Sequence, residues 1–217
     1  MSWLDTPATI SRINNLMNDF HVPGLTIAII DGSEIRSRAF GNACLDPPTP
    51  CTPDTIFDIA SCSKALTSLA VALLVFYEHE FSTKVQWDSL MSSLLPDDFV
   101  LSTAEATDVV TVEDVLSHRT GLPRIHRKAR VQGRSRAVLT TTLNFIRAMM
   151  NRIDPITRPI YESVIAPRVS RTPGKTLEDI GRDESPETSF VLGWDVKYHH
   201  GVKIIAHDGV IAGYGSR

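Results

Sequence analysis

Cysteine is scarce in this chain. Cys44, Cys51 and Cys62 are the only three in 217 residues, an odd and sparse set that excludes a disulfide framework and fits reduced thiols. Strong charge of either sign is missing too. The net charge is -3 and the pI about 6.1, which leaves no global field to draw nucleic acid or an anionic membrane surface. The most apolar segment, Ala65 to Tyr77, is 13 residues long and interrupted by Thr67 and Ser68; a bilayer span needs about 20. The opening Met1 to Asp5 has no basic run, apolar stretch or small-residue cleavage site, so the expectation is an intracellular, cytoplasmic protein. No pair among His118, His126, His199 and His200 has the HExxH arrangement or a Cys/His spacing of a zinc site. Neither a metal nor another cofactor is implied, and no internal repeat is visible.

What is present is a chain that can bury a core, with 42% hydrophobic residues. Thr6 to Phe20 places Ile10, Ile13, Leu16 and Met17 on one helical stripe. Leu25 to Ile30 and Glu34 to Phe40 flank Asp31-Gly32-Ser33, which predicts a β-hairpin. Pro47, Pro48, Pro50 and Pro53 predict a loop over Cys44 to Asp54, because proline breaks ladders. A long apolar helix is expected from Ser61 to about Glu80. Thr111-Val112-Glu113-Asp114 offers a capping box for a short helix ending before Gly121-Leu122-Pro123. From Arg119 to Arg136 inclusive there are seven lysines and arginines and no acidic residues, read as a solvated loop, with a rim that attracts an anionic acyl group or carrier as the functional rival. Ala137 to Arg152 is predicted helical through Leu139, Leu143, Ile146 and Met150. Residues 153–186 show no periodicity and are left irregular. Phe190 to Tyr198 and Val202 to Ala206 are predicted strands joined near His199-His200-Gly201. The expected class is α+β: a single domain over 1–217 with an antiparallel sheet drawn from N- and C-terminal strands, packed with a helical region.

Chemistry concentrates at Ser61 and Lys64, three residues apart at the mouth of the apolar helix and therefore on one face. A serine hydroxyl is a weak nucleophile, and a neighbouring neutral lysine amine can take its proton. The helix N-terminus adds N–H groups that favour an oxyanion. Ser-x-x-Lys alone is weak evidence, and an ordinary cap followed by a surface lysine competes with it. The apolar character of the helix it opens tips the balance. Cys62, two residues from Lys64, points to another face and is assigned to packing.

Phe57-Asp58-Ile59-Ala60-Ser61-Cys62-Ser63-Lys64-Ala65-Leu66-Thr67-Ser68 resembles the nucleophile segment of serine β-lactamase-related proteins, a group of class C β-lactamases, D-alanyl-D-alanine carboxypeptidases, esterases and acyltransferases. Thr111 to Pro123 is similar to a second hallmark of that group, and Val22 to Ala28 to its first strand. The three occur in family order. The resemblance implies a β-lactamase/transpeptidase-like fold, with Ser61 as nucleophile and Lys64 as base. His207-Asp208-Gly209 is similar to the family's His-x-Gly strand. By that match His207 would hydrogen-bond a substrate carbonyl or carboxylate, Gly209 would admit close backbone approach, and the N–H of Val210 would join that of Ser61 in the oxyanion hole. A bland alternative has His207 merely ending an edge strand.

The sequence also departs from the family. The Tyr-x-Asn element occurs nowhere, Tyr161-Glu162-Ser163 being the nearest string. Ser61 to His207 spans 146 positions, which with the chain's end at Arg217 reads as a domain shortened in the middle and at the C-terminus. The expected function is a serine hydrolase or acyltransferase working through acyl-Ser61 on a small-molecule ester or amide, in fungal secondary metabolism by resemblance, without nucleic-acid or membrane partners. One rival reading is a catalytically degenerate remnant with a binding role. Another is an interaction protein whose basic Arg119 to Arg136 loop meets an acidic partner.

Overall fold

The computed structural model describes residues 3–122, 136–170, 188–211 and 214–216. In chain order the elements are α1 (Pro7–Asp19), β1 (Gly24–Asp31), β2 (Glu34–Leu45), β3 (Pro48–Pro50), β4 (Ile56–Asp58), α2 (Ser63–Phe76), α3 (Met91–Leu94), α4 (Ala104–Val109) and α5 (Val112–Leu116). Then come β5 (Arg136–Val138), α6 (Leu139–Asn151), α7 (Arg158–Ile165), β6 (Val169–Ser170), β7 (Thr188–Phe190), β8 (Asp195–His199), β9 (Val202–Ala206), β10 (Gly209–Ile211) and β11 (Tyr214–Ser216). They divide into two compact units, Met1–Asp58 with Arg136–Ile153, and Ile59–Ser135 with Asp154–Arg217.

In the first unit Thr6 caps α1 by accepting from the Thr9 N–H, and Pro7 stands at the first helical position, where its missing donor costs nothing. Ile13 and Met17 bury with Leu4 and Phe40, against Ile10, Leu25, Ile27 and Ile29. Leu16, expected on this stripe, lies at its edge and is exposed. β1 and β2 form the predicted hairpin, from Gly24 opposite Gly41 to Asp31 opposite Glu34, with Gly32 at a φ of 57° in the turn. The proline-rich loop needs correction: β2 continues to Leu45, and Pro48–Pro50 pairs with it across a register shift between Asn42 and Cys44. An edge strand tolerates proline because its outer side needs no ladder donor. The predicted 137–152 helix also begins later, since Arg136–Val138 pairs with β4 before α6 starts. Met149 is buried and Met150 exposed, so the inward face is turned by one residue from that expected.

In the second unit α2 buries Ala65, Ser68, Leu69, Ala72 and Val75. It ends at Phe76, short of Glu80; Glu78–Glu80 forms a separate 3₁₀ turn. The segment left irregular contains α7, which buries Ile160, Val164 and Ile165 and packs on α2. Two helical turns with Pro159 in the first of them, between Pro155 and Pro167, are too short to print a period. The predicted 190–198 strand is broken. β7 ends at Phe190, a turn closed by the Val191 N–H on the Trp194 carbonyl at 2.9 Å carries Gly193 at a φ of 71°, and β8 follows. β6, β7, β8 and β9 make a four-stranded antiparallel sheet in that order, with Asp195 opposite Ala206 and His199 opposite Val202. The class is α+β with antiparallel pairing throughout the described residues; the N-terminal and C-terminal strands pair in separate sheets. Most of the basic 119–136 stretch lies outside the described residues.

Candidate active site

The chain enters α2 through a 3₁₀ turn, Ala60–Cys62. Ala60 has a φ of 45°, a left-handed conformation that costs a residue with a Cβ about 1–2 kcal/mol and is typical of sites where the backbone is held for a purpose. Ser61 follows on that turn. Lys64 stands in the first turn of α2, and its Nζ donates to Ser61 Oγ at 2.7 Å. Ser63 donates its hydroxyl to the Ala60 carbonyl at 2.5 Å, tying the turn to the helix start.

Behind Lys64 the backbone is held from the other side. Gly193 approaches so closely that a Cβ there would stand 2.7 Å from the Lys64 carbonyl oxygen and 3.0 Å from Ser68 Cβ. Its N–H donates to the Leu116 carbonyl at 3.1 Å, at the end of α5. That helix is fixed by the predicted capping box: Thr111 Oγ1 accepts from the Asp114 N–H at 3.1 Å, and Asp114 Oδ2 accepts from the Thr111 N–H at 3.1 Å. Arg119 donates to Asp114 at 3.0 Å and Glu113 at 2.8 Å. Glu113 also faces Arg168 Nε in an ion pair at 3.0 Å, off line for a hydrogen bond. The second sequence motif thus anchors the Gly193 turn that abuts Lys64.

His207 lies between β9 and β10. Burial pushes its imidazole below the usual histidine range; Asp195 opposes that shift, and the Lys64 cation adds to it. The side chain is therefore mainly neutral near pH 7 and close enough to Lys64 to feel its charge. His207 is also 6.4 Å from the Phe190 ring, centroid to centroid, and Phe190 in turn is 4.6 Å from His118. β10, which carries the buried Gly209 and the exposed Val210, lies against the Ala60–Cys62 turn. All five residues singled out in the sequence therefore gather in the second unit.

The thiol of Cys62 needs a new description. Expected only to pack, it donates to the His207 main-chain carbonyl at 3.1 Å. Sequence reasoning also missed Gly193 as the backbone stop behind Lys64, although a lone glycine inside a strand-like run is a signal of close approach. Nothing in the sequence pairs Glu113 with Arg168. Among the described residues no cluster of His, Cys, Asp or Glu has the arrangement of a metal site.

The beta-lactamase family profile matches residues 10–165, which include both the Ser61 segment and the Thr111 segment. The chain belongs to the beta-lactamase family. It is 41% identical over 112 residues to an unguisins hydrolase of Aspergillus campestris, a match covering 52% of this chain and 21% of the relative. Over 63 residues it is 35% identical to the human mitochondrial serine beta-lactamase-like protein LACTB, covering 29% of this chain and 12% of that protein. These matches take in at most about a fifth of the relatives' length. The fold is similar to that of the octameric penicillin-binding protein homologue from Pyrococcus abyssi, with a TM-score of 0.72 at 14% identity over 95% of this chain and 68% of that one. It is similar also to D-alanine carboxypeptidase AmpC from Burkholderia cenocepacia, with a TM-score of 0.63 at 16% identity over 87% of this chain and 73% of that one. Within this beta-lactamase-family chain, His207, Gly209 and Val210 lie beyond the span matched by the family profile.

Proposed function

We propose that the chain carries the nucleophile of a serine hydrolase that cleaves an ester or amide bond of a small molecule through an acyl-Ser61 intermediate. The observation that carries this reading is the 2.7 Å contact of Lys64 Nζ with Ser61 Oγ at the foot of an apolar helix. In its neutral form Lys64 takes the Ser61 proton as Oγ bonds to the substrate carbonyl carbon, and the carbonyl electron pair moves onto oxygen. The N–H groups of Ser61 and Val210 stabilise that oxyanion, Gly209 leaves room for it, and His207 hydrogen-bonds a substrate carbonyl or carboxylate. Collapse breaks the bond to the leaving alcohol or amine, which receives the proton from Lys64. Water then gives a proton to Lys64 and attacks the acyl carbon; collapse breaks the bond to Ser61 Oγ, which takes that proton back from Lys64 as the acid leaves. An acceptor alcohol in place of water would make the same site a transesterase.

The name of the Aspergillus relatives, unguisins hydrolase, favours hydrolysis over transfer and supports a place in fungal secondary metabolism. No described helix is long and apolar enough to cross a membrane. The sparse cysteine content, three in 217 residues, supports a reducing compartment such as the cytoplasm. One observation favours a second reading, a degenerate site with a binding role: the sequence contains no Tyr-x-Asn. Turnover of a p-nitrophenyl ester by the parent and by Ser61→Ala separates the two. Parent activity that disappears in Ser61→Ala is expected; a folded parent without turnover or acylation supports the degenerate reading.

A further inference from the structure

We infer that Cys62 is a positioning residue, whose thiol holds the His207–Val210 segment in register with the nucleophile turn. This rests on the acyl-Ser61 reading. Cys62 follows Ser61 directly, and its Sγ reaches across 145 positions of sequence to the His207 carbonyl at 3.1 Å. That carbonyl stands past the end of the β8–β9 ladder, whose last pair is Asp195 with Ala206, and before β10 begins at Gly209. A strand end is where a backbone group needs a donor from elsewhere. The thiol supplies one.

The consequence follows from connectivity. Ser61 and Val210 would contribute one N–H each to the oxyanion hole, and they lie on different segments. Each is tied through its own chain to one end of the Cys62 bond: Ser61 is the residue before Cys62, and Val210 is three residues past His207. The two segments already lie side by side, so the bond does not create their contact. It fixes the spacing of two donors that must both stand about 3 Å from one oxygen. A misplacement on the ångström scale costs far more in a transition state than in substrate binding.

A packing role and a positioning role predict opposite orders for two substitutions. Cys62→Val keeps apolar bulk and loses the donor, whereas Cys62→Ser keeps a donor and loses bulk. The test measures kcat, KM and thermal midpoint for parent, Cys62→Val, Cys62→Ala and Cys62→Ser on a p-nitrophenyl ester, with inhibition by phenylboronic acid, which forms a tetrahedral adduct on the serine. Positioning predicts that Val and Ala lose about tenfold in kcat, the scale of one neutral hydrogen bond. KM should stay within about twofold, the boronate inhibition constant should rise with the fall in kcat, and Ser should recover most of the loss. Val equal to the parent with Ser impaired overturns the inference, as does an equal loss in all three that tracks the thermal midpoint. If Val and Ala do not fold, the Ser variant alone decides, since parent-like kcat at a lowered midpoint supports positioning and parent-like midpoint at a lowered kcat opposes it. A parent that neither turns over ester nor forms the boronate adduct fails the acyl-Ser61 reading itself, a result distinct from any order among the Cys62 variants.

Discussion

Gly193 lies with its backbone against the carbonyl of Lys64, so that a Cβ on Gly193 would stand 2.7 Å from that oxygen. The same residue has a φ of 71°, so two independent constraints exclude a side chain. Gly193→Ala should lose about 1–2 kcal/mol from the backbone conformation and a further ~1–3 kcal/mol from forced displacement of packed atoms. Gly201, with a φ of 74° but nothing within 4 Å of its would-be Cβ, supplies the control, and Gly201→Ala should lose only the first amount. Urea midpoints of the two variants read the difference. Equal losses would remove the close approach from the account.

Lys64→Arg should abolish ester turnover although it keeps the cation, because a guanidinium stays protonated and cannot accept the Ser61 proton. The expected loss is at least the ~10²–10⁴-fold typical of general base catalysis. Steady-state assays alongside thermal unfolding check it. An active, folded Lys64→Arg protein would show that Lys64 acts only through its charge.

Asp114 links stability to pH. Burial raises its pKa, but the hydrogen bonds from Thr111 and the Arg119 cation together bring it below the usual aspartate range. A carboxyl whose folded pKa is depressed contributes stability that is full above the unfolded value of about 3.9 and is lost as pH falls through the folded value. The difference in urea midpoint between the parent and Asp114→Asn should therefore be widest near neutrality and shrink below about pH 4. A difference independent of pH would place Asp114's effect in packing.

His207 should titrate below an ordinary imidazole, because burial disfavours its charged form and Lys64 repels it, with Asp195 only partly offsetting both. Its contribution to stability is full above the unfolded pKa of about 6.5 and is lost as pH falls through the lower folded value. An NMR titration of the ring protons, assigned with His207→Asn, checks the direction. A midpoint at or above the ordinary imidazole value of about 6.5 would contradict it.

Local rules carried much of this fold and site. Asp31-Gly32-Ser33 between apolar runs specifies the first hairpin, Thr111 with Asp114 specifies a helix start, and Ser61 with Lys64 falls on one face because helix spacing puts it there. Each is a short-range pattern. The features that escaped depend on partners far along the chain or on elements too short to repeat a period. Pro48–Pro50 is a strand only because the outer side of β3 needs no donors. α7 is only two turns long, and its burial comes from packing on α2. The break at Gly193 reflects a space limit set by Lys64, and the Cys62 thiol acts on a carbonyl that no local pattern relates to it.

Intact-mass analysis after incubation with a fluorophosphonate, followed by peptide mapping, tests the central claim most directly. The account predicts a single adduct on the peptide carrying Ser61, absent in Ser61→Ala and strongly slowed in Lys64→Arg. With no Tyr-x-Asn to assist the second step, a labelled penicillin should leave an acyl-enzyme of the same stoichiometry that decays slowly. A folded protein that takes no adduct, or takes it on Cys62, would contradict the assignment of Ser61 as nucleophile.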